Sequence, residues 1–275
     1  MPFTPTHVVA IVPIWGAVPR WLPLSALAIG SMIPDVVMFL PGLGEYTITH
    51  SVHGIFTACM PLGIGFYLLY QLLAKRPLID LLPSAWRKRL HGHIQPNIQP
   101  TIGFFVSVAI ATVIGASSHV LWDSFAHYGR WGVRQLPALE EVWFHMCGLT
   151  FTGYDALQHF SSAVFLPVLA FWIVWWMSRR SPSDNVPRNP VPPVWRWTVF
   201  AMLLTLPPLV ALIRVYSLIG WPDDQRMLGL FAGWAAKTAC GVILLICGVY
   251  IAAYHTLANG PSVLGVLNDQ GHQDR

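Results

Sequence analysis

Charged side chains are scarce in this sequence. Asp, Glu, Lys and Arg together make up 10% of its 275 residues, whereas a soluble domain is usually about 25% charged. Because 55% of the residues are hydrophobic, too little polar surface is available to cover a soluble protein, and the composition excludes a soluble enzyme and a disordered chain. The net charge of +4 comes from scattered basic residues, which excludes the dense basic surface that nucleic-acid binding requires. We therefore expect one integral membrane domain, 1–275, whose partner is the lipid bilayer.

Cysteine is also scarce, and its placement excludes two further classes of protein. The four cysteines are far apart or lie in apolar runs, at Cys59, Cys147, Cys240 and Cys247. No Cys-x-x-Cys pair occurs, so we expect neither a disulfide framework nor a thiolate metal site. A removable signal peptide is not expected either, because no charged segment precedes an apolar stretch with a cleavage site.

The sequence has few charged residues but several long apolar runs. A helix needs roughly 20 apolar residues to cross about 30 Å of hydrocarbon, and five runs meet this length: 55–74, 102–122, 160–177, 198–220 and 230–254. The first forty residues are apolar too, but prolines and Arg20 cut them into pieces that are too short to span. Since irregular backbone cannot face lipid, we expect short helices or a re-entrant hairpin packed against the bundle. The predicted fold class is all-α, a polytopic membrane helical bundle with about five spans and a broken apolar N-terminal hairpin.

The positions of Lys and Arg predict the orientation of these spans. Two segments between spans are rich in basic residues, namely Lys75, Arg76, Arg87, Lys88 and Arg89 after the first span and Arg179, Arg180, Arg188 and Arg196 after the third. Basic segments stay on the cytoplasmic side of a membrane, so the N-terminus is expected outside and the C-terminus inside, in the inner membrane of a cell. The predicted parts are 1–54 (broken helices), 55–177 (core spans), 178–197 (cytoplasmic loop), 198–254 (C-terminal spans) and 255–275 (tail).

Histidine and aspartate gather on the outer side of the predicted bundle. The densest pattern is His119, Asp123 and His127, at i, i+4 and i+8 where the second span ends. Successive members differ by only about 40° around a helix, so all three project from one face. Imidazole and carboxylate groups are ligands that zinc and similar divalent metals accept.

Three more segments on the same side carry candidate ligands. Asp155 and His159 repeat the i, i+4 spacing at the start of the third span, and His50 and His53 lie three residues apart at the start of the first, where both can share one helical face. His7 and Asp35 lie among the broken N-terminal segments, and the proline before Asp35 favours a turn that aims its carboxylate inward. The predicted metal ligands are His7, Asp35, His50, His53, His119, Asp123, His127, Asp155 and His159, enough for two or three ions.

Two cations lie in the outer halves of the last two spans, Arg214 and Lys237. Such side chains usually extend their charged ends to the lipid headgroups. If they face the bundle instead, they offer positive charge to the phosphate of a substrate, and Arg214 can do so with two parallel hydrogen bonds.

Several of these motifs resemble those of a known family. They are the opening residues 1–7 (Met-Pro-Phe-Thr-Pro-Thr-His), the Gly-Ser-Met-Ile-Pro-Asp turn that ends at Asp35, the Thr-His-Ser around His50, and the His119-x3-Asp123 helix. Together they resemble a family of bacterial membrane proteins described as domain of unknown function 4184, over at least residues 1–160.

That family is similar in motif order to YdjM-type membrane-bound metal-dependent hydrolases, and more remotely to zinc-dependent phospholipase C and the single-strand-specific zinc nucleases. The resemblance implies a phospholipase-C-like helical core that holds zinc ions, with ligand positions at His7, Asp35, His50, His119, Asp123 and His127. The soluble enzymes carry a later His-x3-Glu helix, whereas this chain has the reverse order at Asp155-x3-His159.

The predicted function is metal-dependent hydrolysis of a phosphoester at the extracytoplasmic face, because a bound divalent ion generates hydroxide and polarises a phosphoryl oxygen. Asp35 or Asp155 would orient the attacking water or bridge two ions. The substrate would be a phospholipid or a lipid-linked pyrophosphate. The residues leave open a metal or proton transporter, a haem protein with histidine axial ligands, and a non-catalytic metal-binding membrane scaffold.

Overall fold

The apolar runs of the sequence form helices, which satisfy their backbone polar groups internally as a bilayer requires. A computed structural model describes residues 4–40, 42–146, 148–184, 186 and 189–259. In chain order its helices are α1 (Val8–Ala17), α2 (Leu24–Met32), α3 (Val36–Phe39), α4 (Tyr46–Thr49), α5 (Val52–Leu81), α6 (Ser84–Leu90), α7 (Ile102–Phe125), α8 (Trp131–Gln135), α9 (Gly153–Ser178), α10 (Pro193–Ile219) and α11 (Gln225–Asn259). Short 3-10 turns lie at Thr4–His7 and Ile33–Asp35, and π-helical turns interrupt α5 at Ile55–Cys59 and Tyr70–Ala74.

Five of these helices are long and apolar enough to cross a membrane: α5, α7, α9, α10 and α11. The prediction of an all-α polytopic membrane bundle with five spans is therefore confirmed. Most of the helices continue a turn or more past the predicted ends of the spans, because aromatic and polar residues extend them beyond their apolar centres. Within the predicted tail, α11 continues to Asn259, and residues 260–275 lie outside the described part of the chain, as does Cys147.

The N-terminal segment packs into the bundle as two short helices, as its prolines predict. Helix α2 lies along α7 so closely that glycine is required at the contact. A Cβ atom added at Gly115 would lie 2.3 Å from the backbone oxygen of Leu27, and one added at Gly30 would lie 2.5 Å from the backbone oxygen of Thr112. Buried apolar side chains, among them Ile11, Leu27 and Val108, complete this contact.

The proline before Asp35 coincides with a 3-10 turn but does not end the helix, since α2, the turn and α3 run on from Leu24 to Phe39. The break in the helix that the proline favoured is therefore not found here. The turn Ile33–Asp35 is buried, and Ile33 packs in an apolar cluster with Ile55, Cys59 and Ala116. The turn therefore fixes the carboxylate of Asp35 between α2, α5 and α7.

The segment between α8 and α9 contains two strands that the sequence prediction omitted. Strands β1 (Val142–Met146) and β2 (Leu149–Thr152) pair antiparallel, with Phe144 opposite Phe151 and His145 opposite Thr150. Gly148 has φ of 77°, the left-handed conformation that hairpin turns need. Aromatic and β-branched residues on both sides of this glycine were the available signal.

A buried polar network joins the ends of α5 and α11 on the side that carries the basic residues. The carboxylate of Asp80 pairs with Arg87 and accepts a hydrogen bond from the hydroxyl group of Tyr254. The side-chain amide of Asn189 donates to the backbone oxygen of Asp80 at 2.6 Å. These contacts attach the C-terminal pair of helices, α10 and α11, to the rest of the bundle.

The close contact between α2 and α7 yields a stability prediction. We expect Gly115→Ala to destabilise the protein by about 1–3 kcal/mol, because the new methyl group meets backbone atoms that cannot rotate away. Thermal unfolding in detergent measures the change. Gly65→Ala is the matched control, since a Cβ atom at Gly65 meets nothing within 4 Å; equal melting temperatures for the two variants would contradict the contact.

Candidate metal centre

Four buried side chains from three segments of the chain meet at one point. Asp35 comes from the 3-10 turn after α2, His50 follows α4, and His119 and Asp123 lie one turn apart on α7. Each offers a ligand atom, and these atoms all lie within 4.8 Å of one another. None of the four residues is more than 5% exposed. We refer to Asp35, His50, His119 and Asp123 as the four-residue cluster.

Local hydrogen bonds bring these segments together. The hydroxyl group of Thr49 donates to the backbone oxygen of Pro34 at 2.8 Å, which ties the end of α4 to the turn that carries Asp35. The thiol group of Cys59 donates to the backbone oxygen of Thr49 at 3.3 Å. Residue 50 is thereby held against the turn, although 15 residues separate it from Asp35.

The contacts inside the cluster are short and nearly equal. The Nε2 atoms of His50 and His119 are 3.3 Å apart. His50 Nε2 lies 3.4 Å from Asp35 Oδ1 and 3.5 Å from Asp123 Oδ2, and His119 Nε2 lies 3.6 Å and 3.5 Å from the same two atoms. Two nitrogens and two oxygens thus surround one small volume.

Backbone oxygens fix which nitrogen of each imidazole faces this volume. His119 Nδ1 lies 2.7 Å from the backbone oxygen of Ser31, and His50 Nδ1 lies 3.1 Å from that of Tyr46. A carbonyl oxygen only accepts hydrogen bonds, so in the neutral rings both Nδ1 atoms carry the hydrogen and both Nε2 atoms present lone pairs. Metal-binding histidines typically donate the N–H of their other ring nitrogen to a backbone oxygen in this way.

The carboxylates need a positive partner. Asp35 Oδ1 and both carboxylate oxygens of Asp123 are buried and have no hydrogen-bond partner in the described residues. Burial raises the pKa of Asp35, but His119, His50 and a 2.6 Å hydrogen bond from Thr4 outweigh this and hold it below its usual value. Burial lowers the pKa of His50, and its contacts with Asp123 and Asp35 outweigh this and raise it. The site therefore favours cationic charge between the carboxylates.

Two more predicted ligands border the cluster. The ring of His7 stacks on that of His119, with centroids 3.7 Å apart, and its Nε2 atom lies 3.5 Å from Asp123 Oδ1. Burial, with the nearby His119, lowers the pKa of His7 to about 3 and keeps the ring neutral. Helix α7 ends at Phe125, so His127 does not continue the helical face of His119 and Asp123 as the i+8 spacing predicted. Its Nδ1 atom lies 3.1 Å from the backbone oxygen of Asp123, and its Nε2 atom is buried without a partner in the described chain.

The remaining predicted ligands are not part of the four-residue cluster. His53 is exposed on α5, and the extended backbone of Ser51 separates it from His50, so the two imidazoles do not share a helical face. Asp155 accepts a hydrogen bond from the Thr152 hydroxyl group at the start of α9, and His159 is exposed with its ring edge against Phe151. Ser51 caps the start of α5, and Thr152 caps the start of α9. The spacing of histidine and aspartate alone does not predict these caps.

The predicted phosphate-binding cations are also separate from the four-residue cluster. Arg214 and Lys237 line one groove together with residues of α3, α10 and α11, and no ligand of the cluster lines it.

Sequence reasoning missed the groups that orient the ligands. They are Thr4, whose hydroxyl group donates to Asp35, and the backbone oxygens of Ser31 and Tyr46. Thr4 and Ser31 lie inside the motifs that resemble a family, which was the available signal. The identity of a residue does not show what its backbone oxygen contacts, so these hydrogen bonds could not be predicted from the sequence.

The chemistry of the donor set fits a divalent cation. Two neutral imidazoles and two carboxylates supply a net charge of −2 in a water-poor pocket, and these are ligands of zinc and related metals. A cation placed among them would satisfy the orphaned carboxylate oxygens. The described residues thus form a buried group that could hold a metal ion.

Comparison with known proteins gives one match. A family model described as "Domain of unknown function (DUF4184)" matches residues 1–256. No curated protein and no solved structure matches the chain.

Removing a ligand of the four-residue cluster should remove the metal. We expect His119→Ala and Asp123→Asn to purify with little metal, because the first loses one of the four donors and the second replaces an anionic carboxylate by a neutral amide, whose oxygen is a weaker donor. Elemental analysis of detergent-purified protein measures the content.

The pair Asp155→Asn and His159→Ala has the same residue types at the same spacing and serves as the matched control. We expect both control variants to keep the metal content of the wild type. Equal metal in the Asp123→Asn variant and the wild type would show that this carboxylate is not a ligand.

Proposed function

We propose that this chain, which belongs to the DUF4184 family, is a membrane-embedded, metal-dependent hydrolase of a phosphoester. The family description assigns no activity, so the proposal rests on the four-residue cluster. The observation that carries the proposal is the pair of imidazole Nε2 atoms 3.3 Å apart, both presenting lone pairs beside three buried carboxylate oxygens that have no hydrogen-bond partner in the described residues. Without a cation between them these groups repel one another.

The spacing of the donors favours zinc. Zinc bonds of about 2.0–2.2 Å to nitrogen and oxygen place tetrahedral ligand atoms roughly 3.3–3.6 Å apart. The nitrogen–nitrogen and nitrogen–oxygen distances between donors of the cluster run from 3.3 to 3.6 Å. An octahedral ion with bonds of the same length would need separations near 3.0 Å.

The position of His7 supports a second ion beside the first. Asp123 turns Oδ2 toward His50 and His119 and Oδ1 toward His7, so one carboxylate can bridge two ions. On that side His7 Nε2 is buried and lies 3.5 Å from Oδ1. Two ions rather than three is the number that these residues support.

The chain's own groups would then divide the work of hydrolysis. Bound divalent ions lower the pKa of a water molecule and polarise the phosphoryl oxygen. Asp35, held at Oδ2 by Thr4, keeps Oδ1 aimed at the cluster. The carbonyl oxygens of Ser31 and Tyr46 lock both imidazoles in the tautomer that binds cations. Asp155 stays a prediction as a catalytic carboxylate, since its side chain accepts from Thr152.

An apolar cavity beside His7 supports a lipid as the substrate. It has a volume of about 280 Å³ and is lined by Thr6, His7, Val9, Ala10, Pro13, Trp122 and Phe165. His7 connects it to the cluster, and the other walls are mostly hydrocarbon. A phosphoester that carries an acyl or prenyl chain could place its chain here and its phosphate at the ligands.

For the location we propose the inner membrane, with the cluster on the extracytoplasmic side. The basic residues gather at the opposite ends of the spans, which favours a cytoplasmic position for those ends. His50 follows α4 just before α5 begins, and Asp123 lies near the end of α7, so both ligands belong to the less basic side.

The hydrolase proposal predicts metal-dependent turnover. Zinc-loaded protein in micelles should release product from a short-chain phosphatidylcholine and from the water-soluble bis(p-nitrophenyl) phosphate. A chelator should abolish both activities, and Asp123→Asn should lower them about 100-fold or more, since even outer-shell changes at metal sites cost about 10–100-fold.

Two cavity variants test the choice of substrate. Ala10→Phe fills the cavity beside His7 and should remove the activity on the lipid while the soluble diester is still hydrolysed. Ala17→Phe, at the exposed end of the same helix, is the matched control. Metal-bound protein that is inert to every phosphoester would favour the scaffold instead.

Topology is tested separately. A periplasmically active reporter fused after Arg275 should be silent, and a cytoplasmically fluorescent one should be bright. The reverse pattern would place the cluster on the cytoplasmic side.

A further inference from the structure

A second cavity, which no residue of the four-residue cluster lines, lies between the C-terminal helix pair and α3. It is a groove of about 480 Å³, lined by Met38, Phe39, Val210, Arg214, Trp234, Lys237, Thr238, Gly241, Val242 and Leu245. We call it the α10–α11 groove. Its walls come from α10 and α11, and α3 supplies Met38 and Phe39.

Two cations, one from each helix of the pair, share this groove. Arg214 enters from α10 and Lys237 from α11. Among the described residues, no carboxylate lies within 4 Å of either cationic group, whereas Arg87 and Lys88 have acidic partners. A cation within a membrane-spanning segment is costly unless it is paired or reaches water. Two cations from different helices in one cavity therefore call for an anionic partner.

The rest of the groove is suited to hydrocarbon. Phe39, Val210, Val242 and Leu245 line it with apolar surface. The space beside Gly241 is open, because a Cβ atom added there would meet nothing within 4 Å. A ligand that fits this groove therefore combines a negative group with an apolar chain.

The position of the groove also indicates how such a ligand would act. Helix α11 is the least buried of the five spans, and the Asp80–Tyr254 contact joins it to α5 near the basic end of the bundle. The groove lies further along the same helix, where the pair α10 and α11 faces α3. A ligand here would join the helix pair to the segment that follows Asp35.

From these contacts we propose that the α10–α11 groove binds one anionic phospholipid, with its phosphate between Arg214 and Lys237 and an acyl chain along Phe39, Val242 and Leu245. The site is distinct from the catalytic proposal, because no residue of the four-residue cluster lines it. The lipid would be a bound structural partner and not the substrate.

The binding test uses full-length, delipidated protein titrated with phosphatidylglycerol or phosphatidylcholine and measured by native mass spectrometry. Wild type should prefer phosphatidylglycerol. The double variant Arg214→Gln/Lys237→Gln should bind it about thirtyfold more weakly, since each basic residue near a membrane surface contributes about a fivefold preference for anionic lipid. Arg226→Gln removes a cation from α11 outside the groove and should leave binding unchanged.

A second pair of variants tests the acyl chain without touching the charges. Gly241→Leu should fill the groove and abolish phosphatidylglycerol binding, whereas Gly248→Leu, on the same helix with equally open surroundings, should not. Glycerol phosphate, which has the charge but no chain, should fail to displace the lipid. Equal binding of both lipids to wild type, or unchanged binding to the double variant, would overturn the proposal, and displacement by glycerol phosphate would identify an anion site that does not recognise lipid.

These outcomes separate the lipid site from the hydrolase. Metal content and turnover of the soluble diester depend on the four-residue cluster, so loss of lipid binding in the Gly241→Leu variant with both of these intact would support the groove on its own. A protein without turnover that still selects phosphatidylglycerol would leave the lipid site in place.

Discussion

The close approach of α2 to α7 is the constraint on which the rest of the structure depends. Glycines at positions 30 and 115 let the two backbones touch, and this contact places the carbonyl oxygen of Ser31 against His119 and the following turn against the same ring. A larger residue at either glycine would move the turn that carries Asp35. The position of the four-residue cluster therefore depends on a helix contact made by glycines that do not belong to the cluster.

Charge explains why such a rigid contact is needed. Burying a carboxylate without a partner in a bilayer is unfavourable. The cluster holds two carboxylates, and three of their oxygens have no hydrogen-bond partner in the described residues. The Nδ1 atoms of its two imidazoles already form hydrogen bonds with carbonyl oxygens. The protein keeps these groups together with packing on one side and hydrogen bonds on the other. The site is preorganised for a cation in a way that a flexible arrangement of the same residues would not be.

Much of the fold and part of the site could be predicted from the sequence. Apolar run length gave the five spans, and helical spacing gave the pairing of His119 with Asp123. Proline at position 34 did not break the helix, because a 3-10 turn carries it on into α3. Helical spacing also put Asp155 and His159 on one helix, but neither belongs to the four-residue cluster, because periodicity describes one helix and not what that helix faces. The His50 and His53 pair did not share a face, since Ser51 is extended. The Asp80 network was missed because it joins residues 174 positions apart.

The ligands of the cluster have a further property, which concerns the order in which the chain is made. All four lie between residues 35 and 123, before α9, α10 and α11 begin. A nascent chain that has inserted α5 and α7 already carries all four residues of the cluster. Under the function proposed above, metal capture would precede insertion of the last three spans and give them a stable surface to assemble against.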